Sequence, residues 1–169
     1  IDSARTKAYA AVNVALVERN WLLGKRIAEE ELQGENRAEY GANVIIRLSK
    51  DLTDEYGKGF NKSNLYQFCE FYKSFPEIFH TACGKSAILL SWSHYRTLLQ
   101  VYDKKARDWY MQEAISQTWS VRTLQRNISS QYYYRLLQSQ HKDLVEKEML
   151  EITAPLQDTD KFEFVKNPV

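Results

Sequence analysis

The chain has 169 residues, of which 44% are hydrophobic and 27% charged, and its formal net charge is +1. This length and composition suit one domain that buries a core, or one domain with a tail. No apolar run approaches the roughly 18 to 20 residues of a membrane span, and no signal peptide opens the chain. Cys69 and Cys83 have neither metal-ligand spacing nor the pattern of a disulfide scaffold. We therefore expect a cytoplasmic protein with reduced thiols.

The small net charge conceals an asymmetry along the chain. Residues 143–169 contain seven acidic and three basic residues, and subtracting them from totals of 22 and 23 leaves 15 acids and 20 bases in residues 1–142. A body with a net charge of +5 permits nucleic-acid binding without requiring it. Because the chain starts at Ile1 and not at methionine, and stops at Val169, we expect a segment of a longer protein.

Helical periodicity dominates the first third of the chain. Asp2 or Ser3 can cap a first helix that reaches about Leu32. Its apolar face is predicted to be Tyr9, Val12, Leu16, Leu23 and Ile27. A second helix is predicted over residues 37–56, with an inner stripe of Ile45, Leu48, Leu52 and Tyr56. A helix as long as the first often packs against a copy of itself, so a homodimer is one open possibility.

A glycine turn and a third helix follow. The second helix is predicted to end at Gly57-Lys58-Gly59, and Phe60 can enter the core. Asn61 or Ser63 can then cap a third helix that continues to about Ser74. Its apolar face is Leu65, Phe68, Cys69, Tyr72 and Phe75, and the residues left to face outward are Lys58, Lys62, Asn64, Tyr66, Gln67 and Lys73. This is the outline of a helix-turn-helix, which is also common in all-α proteins that do not touch DNA.

The pattern of helix, short turn and capped helix recurs later. An irregular connection is predicted over 76–90, and within it 87–90 is either a short strand or the start of the next helix. Two helices are then predicted, one from Ser91 or Ser93 to about Val101 and one from Asp103 onward. Ser120 then caps a helix whose buried stripe, Val121, Leu124, Ile128, Tyr132 and Leu136, continues to Leu137.

This last helix lies in the most basic part of the chain. No acidic residue occurs from Ala114 to Lys142. The helix directs Arg122, Gln125 and Arg126 outward, and such side chains contact phosphates and base edges in helix-turn-helix proteins. The alternative is a solvated polar face on an ordinary bundle. Three consecutive tyrosines, 132–134, are more typical of packing or interfaces than of base stacking.

No catalytic pattern accompanies these helices. Phosphate loops, HExxH, paired-cysteine clusters and nucleophile elbows are absent from the sequence. His80, His94 and His141 are isolated, and Asp103-Lys104-Lys105, which matches half of a nuclease motif, lies at a helix start and predicts a cap with surface charge. We expect no enzyme activity, metal or cofactor in this segment.

Short stretches in fixed order resemble the N-terminal domain of the YhcG-type family of bacterial proteins, over nearly the whole chain. They are AVN (11–13), Trp21 with Gly24 and Ile27, AEYG (38–41), LSKDL (48–52), GFNKSNL (59–65), FY (71–72), LSWSHY (90–95), WSVRTL (119–124) and YYYRLL (132–137). The resemblance implies a helical domain that precedes a PD-(D/E)xK nuclease domain with a divalent metal. The family's predicted catalytic residues belong to that downstream domain, and none maps onto this chain.

We therefore predict an all-α helical bundle with two helix-turn-helix-like units over residues 1–140, followed by a charged helix and linker over 141–169. The predicted function is engagement of nucleic acid, with DNA favoured and RNA left open. Phosphate contacts are assigned to Lys58, Lys62, Arg122, Arg126 and Arg135, and base-edge contacts to Asn64, Gln67, Thr123 and Gln125. The alternative is a protein-interaction or dimerisation domain that uses the first helix and the tyrosine-rich helix. No membrane or small-molecule partner is expected.

Overall fold

The computed structural model describes residues 2–33, 37–79, 90–139 and 143–151, and every regular element in these ranges is a helix. The all-α prediction is therefore confirmed. The helices are α1 (Asp2–Gln33), α2 (Arg37–Tyr56), a 3-10 turn (Lys58–Phe60), α3 (Lys62–Ser74), α4 (Trp92–Leu98), α5 (Lys104–Ser116), α6 (Val121–Ser129), α7 (Tyr132–Gln138) and α8 (143–151). The chain divides into two compact units, Ile1–Trp92 and Ser93–Val169.

In the first unit, α1 packs against α3 through a face that differs from the predicted one. Its buried residues, Val17, Asn20, Trp21, Gly24, Ile27 and Ala28, recur at intervals of three and four. Leu23 and Ile27 were predicted correctly, but Val12 is 57% exposed and Leu16 is also exposed. At 100° per residue, these two lie about 120° and 80° around the helix from Gly24, where α3 makes its contact. Apolar character alone therefore selected the wrong side of the N-terminal half of α1.

The core of the first unit joins α1, α2 and α3. It contains Ile27, Ala28, Ile45, Phe60, Leu65, Phe68 and Cys69, with Leu23, Leu48, Leu52, Tyr72 and Trp92 packed around them. Phe60 enters the core as predicted, and Asn61 caps α3 by accepting a hydrogen bond from the Asn64 N–H. Tyr56 was predicted to lie inside but is 64% exposed, because α2 ends there and its ring reaches only the edge of Phe60.

The second unit is built around an aromatic core. Its buried side chains include Tyr95, Leu98, Tyr110, Trp119, Leu124 and Tyr132. Asp103 caps α5 and Ser120 caps α6, as predicted. The single helix predicted from Ser120 to Leu137 is wrong, because the chain leaves the helix at Gln131, whose φ is 54°, and resumes as α7.

Some predictions fall only partly within the described residues. Within the predicted strand or lead-in over 87–90, Leu90 is described, and its buried carbonyl accepts a hydrogen bond from Asn13 Nδ2 at 3.1 Å. Of the charged helix and linker predicted over 141–169, residues 143–151 are described, and they form α8. His80, Cys83, His141 and the predicted linker, with all of residues 152–169, lie outside the described residues.

Candidate nucleic-acid interface

The turn between α5 and α6 is fixed by hydrogen bonds to side chains and backbone. Ser120 Oγ accepts from the Thr123 N–H at 3.1 Å, which satisfies a backbone donor at the start of α6. The Trp119 ring is buried, and its Nε1 donates to Gln117 Oε1 at 3.1 Å. The carbonyl of Trp119 lies 2.9 Å from His94 Nε2, and burial lowers the pKa of His94. These contacts set where α6 begins.

The two faces of α6 differ sharply. Thr123, Leu124 and Asn127 are buried, whereas Arg122, Gln125 and Arg126 are exposed. Residues three and four apart lie on the same side of a helix, so Arg122, Gln125 and Arg126 share one surface. The structure thus brings together three of the predicted contact residues.

Thr123 does not belong to this surface. Its side chain is fully buried, and its hydroxyl accepts a hydrogen bond from Ser120 Oγ at 3.0 Å. It therefore supports the start of α6 and is not available to read a base edge. The sequence could not separate it from Arg122, because neighbouring helical positions differ in exposure only after the helix has packed.

Arg135 is engaged within the protein. Its guanidinium forms an ion pair with Glu148 of α8 at 2.7 Å and donates to the sulfur of Met149 at 3.6 Å. Met149 is buried, so these contacts hold α8 against α7. A phosphate at Arg135 would have to compete with a carboxylate that is already present.

The first unit carries its own group of predicted residues around the 3-10 turn. Lys58 and Lys62 are exposed. Asn64 is partly buried, and its Nδ2 donates to the carbonyl of Gly59 at 3.0 Å, so its amide stabilises the turn. Gln67 is also partly buried, and its Oε1 is inaccessible to solvent. The two lysines are thus better placed for a surface ligand than the two amides.

Sequence reasoning missed one basic residue beside this turn. Arg19 is exposed on α1, and its guanidinium carbon lies 5.0 Å from the centre of the Phe60 ring. Its guanidinium also donates to Asn20 Oδ1 at 3.1 and 2.9 Å, which fixes it beside the ring of Phe60, a residue that lies in the chain between Lys58 and Lys62. No sequence pattern pairs residues 41 positions apart, and only the packing of α1 against the turn reveals the neighbour.

The tyrosines after α6 are packing residues, as favoured from the sequence. Tyr132 is buried, and burial, together with Glu146 and Glu113, raises its pKa to about 12. The Tyr133 ring packs against Trp109 at 5.5 Å and against Tyr134 at 5.2 Å. The Tyr134 hydroxyl donates to Asp103 at 3.1 Å. All three thus make contacts within the protein, as packing residues do.

Across the described ranges, no group of three or more His, Cys, Asp or Glu side chains could hold a metal ion. None of the helices in those ranges contains an apolar stretch long enough to cross a lipid bilayer.

The fold and the two basic surfaces define the class of protein: an all-α domain in which short turns lead into capped helices with cationic outer faces.

Residues 1–135 match the family model described as the DUF1016 N-terminal domain, and the chain belongs to that family. It is 37% identical over 182 residues to the protein of Escherichia coli (strain K12) named "Putative nuclease YhcG". The alignment covers 92% of this chain and 48% of that protein, so the chain spans about half the length of this curated relative. The resemblance noted in the sequence is thereby confirmed. No solved structure matches the chain.

Proposed function

We propose that this chain is the domain through which a nuclease of the DUF1016 family engages nucleic acid, with DNA as the favoured substrate. The relative carries the name "Putative nuclease YhcG" and is about twice as long as the region aligned here. In this proposal the strand cleavage, and the divalent metal it requires, belong to a downstream PD-(D/E)xK domain. The present chain supplies binding and no chemistry.

The observation that carries the proposal is the surface of α6. Its start is fixed by the Ser120 cap, its buried side is anchored by Leu124, and Arg122, Gln125 and Arg126 extend from the other side. A short helix held rigidly by its cap, with two arginines one turn apart, has the geometry to contact successive phosphates. Gln125, between them on the same surface, is placed to reach a base edge.

The expected mechanism is mainly electrostatic. Arg122 and Arg126 on one unit, and Lys58, Lys62 and Arg19 on the other, would neutralise phosphates and release bound cations. Each unit would make its own contacts. Thr123, Asn64 and Gln67 would not contact the nucleic acid themselves. Thr123 and Asn64 are hydrogen-bonded within the protein, and the side-chain oxygen of Gln67 is shielded from solvent.

The test is fluorescence anisotropy of this chain with a labelled random-sequence duplex at about 50 and about 200 mM salt. A protein that contacts several phosphates should lose at least about tenfold in affinity over this range. Circular dichroism establishes that the protein is folded at both salt concentrations. Absence of binding at tens of micromolar protein would contradict the proposal, and a matched RNA duplex would show which nucleic acid is preferred.

A second candidate function is dimerisation or protein interaction without nucleic acid. It is favoured by the exposed apolar side chains of Val12 and Leu16 on the N-terminal half of α1. Light scattering over a dilution series would detect a dimer. If Leu16→Glu abolished that dimer without reducing binding to the duplex, the two functions would be separable.

A further inference from the structure

A cavity of about 490 Å³ lies in the second unit, on a surface other than that of Arg122 and Arg126. It is formed by α5, α7 and α8. Its lining consists of three aromatic rings, three leucines, two carboxylates and one amide: Trp109, Tyr132, Tyr133, Leu136, Leu137, Leu150, Glu113, Glu146 and Gln117. This combination of aromatic, apolar and acidic side chains differs from the basic surface already described.

The walls of the cavity are held in place by contacts between lining residues and by contacts just outside it. The Trp109 ring meets Tyr132 edge-on at 5.4 Å and packs against Tyr133 at 5.5 Å. On the opposite side, the ion pair between Arg135 and Glu148 and the burial of Met149 hold α8 in position. The cavity is therefore formed before any ligand arrives, which reduces the entropy lost on binding.

The charge of the lining is negative. Among the described residues that line the cavity there are two glutamates and no lysine or arginine. Glu113 accepts a hydrogen bond from Gln117 Nε2, which orients its carboxylate, and Glu146 is exposed on α8. Burial and, after it, these two carboxylates raise the pKa of the Tyr132 hydroxyl, while the nearby charge of Arg135 lowers it. Such a lining repels phosphates and attracts cations.

Aromatic rings and carboxylates together favour one kind of cation. A guanidinium group is planar, stacks on aromatic faces and forms paired hydrogen bonds with carboxylates, whereas an ammonium group is a compact, strongly hydrated point charge. Leu137 and Leu150 beside the aromatic rings are 61% and 58% exposed, so apolar surface surrounds the cationic site. A ligand that covers both features needs a guanidinium with apolar groups on either side.

We propose that this cavity binds an arginine side chain, flanked by apolar residues, from a segment of a partner protein. The guanidinium lies against Trp109 and between the carboxylates of Glu113 and Glu146, and the flanking apolar side chains cover Leu137 and Leu150. The interaction uses surface that the nucleic-acid proposal does not use, and it holds whether or not α6 binds DNA.

The test uses two synthetic peptides, acetyl-Leu-Arg-Leu-amide and its citrulline counterpart, which has the same shape without the charge. Binding is followed through the indole N–H resonance of Trp109, assigned from the spectrum of Trp109→Phe. The arginine peptide is expected to give a saturable shift and to bind about tenfold more tightly than the citrulline peptide, from cation–π and carboxylate contacts combined.

Two glutamine substitutions on α8 supply the matched comparison. Glu146→Gln removes a carboxylate of the cavity and should reduce the preference for arginine severalfold. Glu151→Gln removes an exposed carboxylate that does not line the cavity and should leave the preference intact. Equal binding of the two peptides, no saturable shift at low millimolar peptide, or equal effects of the two substitutions would each overturn the proposal.

Discussion

At Gly24, the backbone of α3 occupies the space that a side chain on α1 would need. A methyl carbon placed on Gly24 would lie 1.9 Å from the carbonyl oxygen of Phe68 and 2.4 Å from its carbonyl carbon. Main-chain atoms cannot move aside as a flexible side chain can. The glycine therefore permits the close contact between α1 and α3, and Trp21, one turn earlier, reinforces it by donating from Nε1 to the Phe75 carbonyl at 3.0 Å.

Replacing Gly24 should destabilise the protein, although alanine has a better helix propensity than glycine. We expect Gly24→Ala to lower the free energy of unfolding by about 2 kcal/mol or more, because α1 and α3 must separate. Gly59→Ala is the matched control, since a methyl carbon there meets no atom within 4 Å, and it should change stability by less than about 1 kcal/mol. Urea denaturation followed by circular dichroism measures both. Equal effects would show that the contact with Phe68 is not the cause.

Asp103 makes the cap of α5 sensitive to pH. The Lys105 N–H donates to its carboxylate at 2.9 Å and lowers its pKa, and the Tyr134 hydroxyl contributes in the same direction. A carboxyl with a lowered pKa stabilises the folded state above its unfolded pKa, and this contribution is lost as the pH falls through the folded value.

The Asp103→Asn variant isolates this charge, because asparagine can still cap the helix. At about pH 6.5 the variant should melt at a lower temperature than the parent protein. At about pH 2.5, below the unfolded pKa, the carboxyl of the unfolded chain is protonated, so the difference between the two melting temperatures should shrink. Thermal denaturation at the two pH values measures the difference, and a gap that does not change with pH would contradict the role of the charged cap.

At the scale of elements, the break between α6 and α7 shows a helix end made by tertiary contacts. Neither glycine nor proline occurs there, and Gln131 adopts a left-handed conformation without a side-chain hydrogen bond to cap α7. The missing acceptor comes from α5: the Tyr110 hydroxyl accepts from the Tyr133 N–H and donates to the Asn127 carbonyl, both at 3.1 Å. One buried phenol thus satisfies backbone groups on both sides of the break.

Removing this hydroxyl should destabilise the second unit. Tyr110→Phe keeps the buried ring but leaves the Asn127 carbonyl and the Tyr133 N–H without this partner, at a cost of about 1 to 3 kcal/mol. Tyr102→Phe, at a side chain that is 96% exposed, is the control and should have little effect. Hydrogen exchange of the Tyr133 amide gives a local measurement. Unchanged protection there would contradict the capping role of Tyr110.

The helix ends that the sequence predicted well are those with local causes. α2 and α3 have the predicted bounds because Gly57, with φ of 89°, and Asn61, with its cap, act on neighbouring backbone. The end of α6 could not be predicted in this way, since the stripe from Leu124 to Leu136 keeps helical spacing through the break. The end of α6 depends instead on Tyr110, which lies on α5.

At the scale of the whole molecule, the basic residues differ in how available they are. Arg122 and Arg126 are exposed on α6, whereas Arg135 already pairs with Glu148. All three looked equivalent in the acid-free stretch of sequence. Arg135 is also less exposed than the other two, so exposure ranks them for the proposed binding of nucleic acid.

This ranking predicts different salt dependences. Arg122→Ala and Arg126→Ala should each weaken binding on every duplex sequence and reduce the slope of log affinity against log salt by about 0.9. Arg135→Ala should reduce it less, because Glu148 competes for its guanidinium. Lys104→Ala, at an exposed lysine that pairs with Asp108 at 2.7 Å, is the control for loss of positive charge. Anisotropy titrations give the slopes, and identical slopes for all four variants and the parent would remove α6 from the interface.

The sequence by itself determined the all-α class, most helix bounds, the three caps at Asn61, Asp103 and Ser120, and membership of the family. These depend on interactions between residues close in the chain, or on short stretches kept in order. Tertiary structure alone decided which face of α1 is buried, where α6 ends, that Thr123 is enclosed and that Arg135 is paired. Each of these depends on residues far apart in sequence, such as Gly24 with Phe68 or Tyr110 with Tyr133, whose proximity no local pattern records.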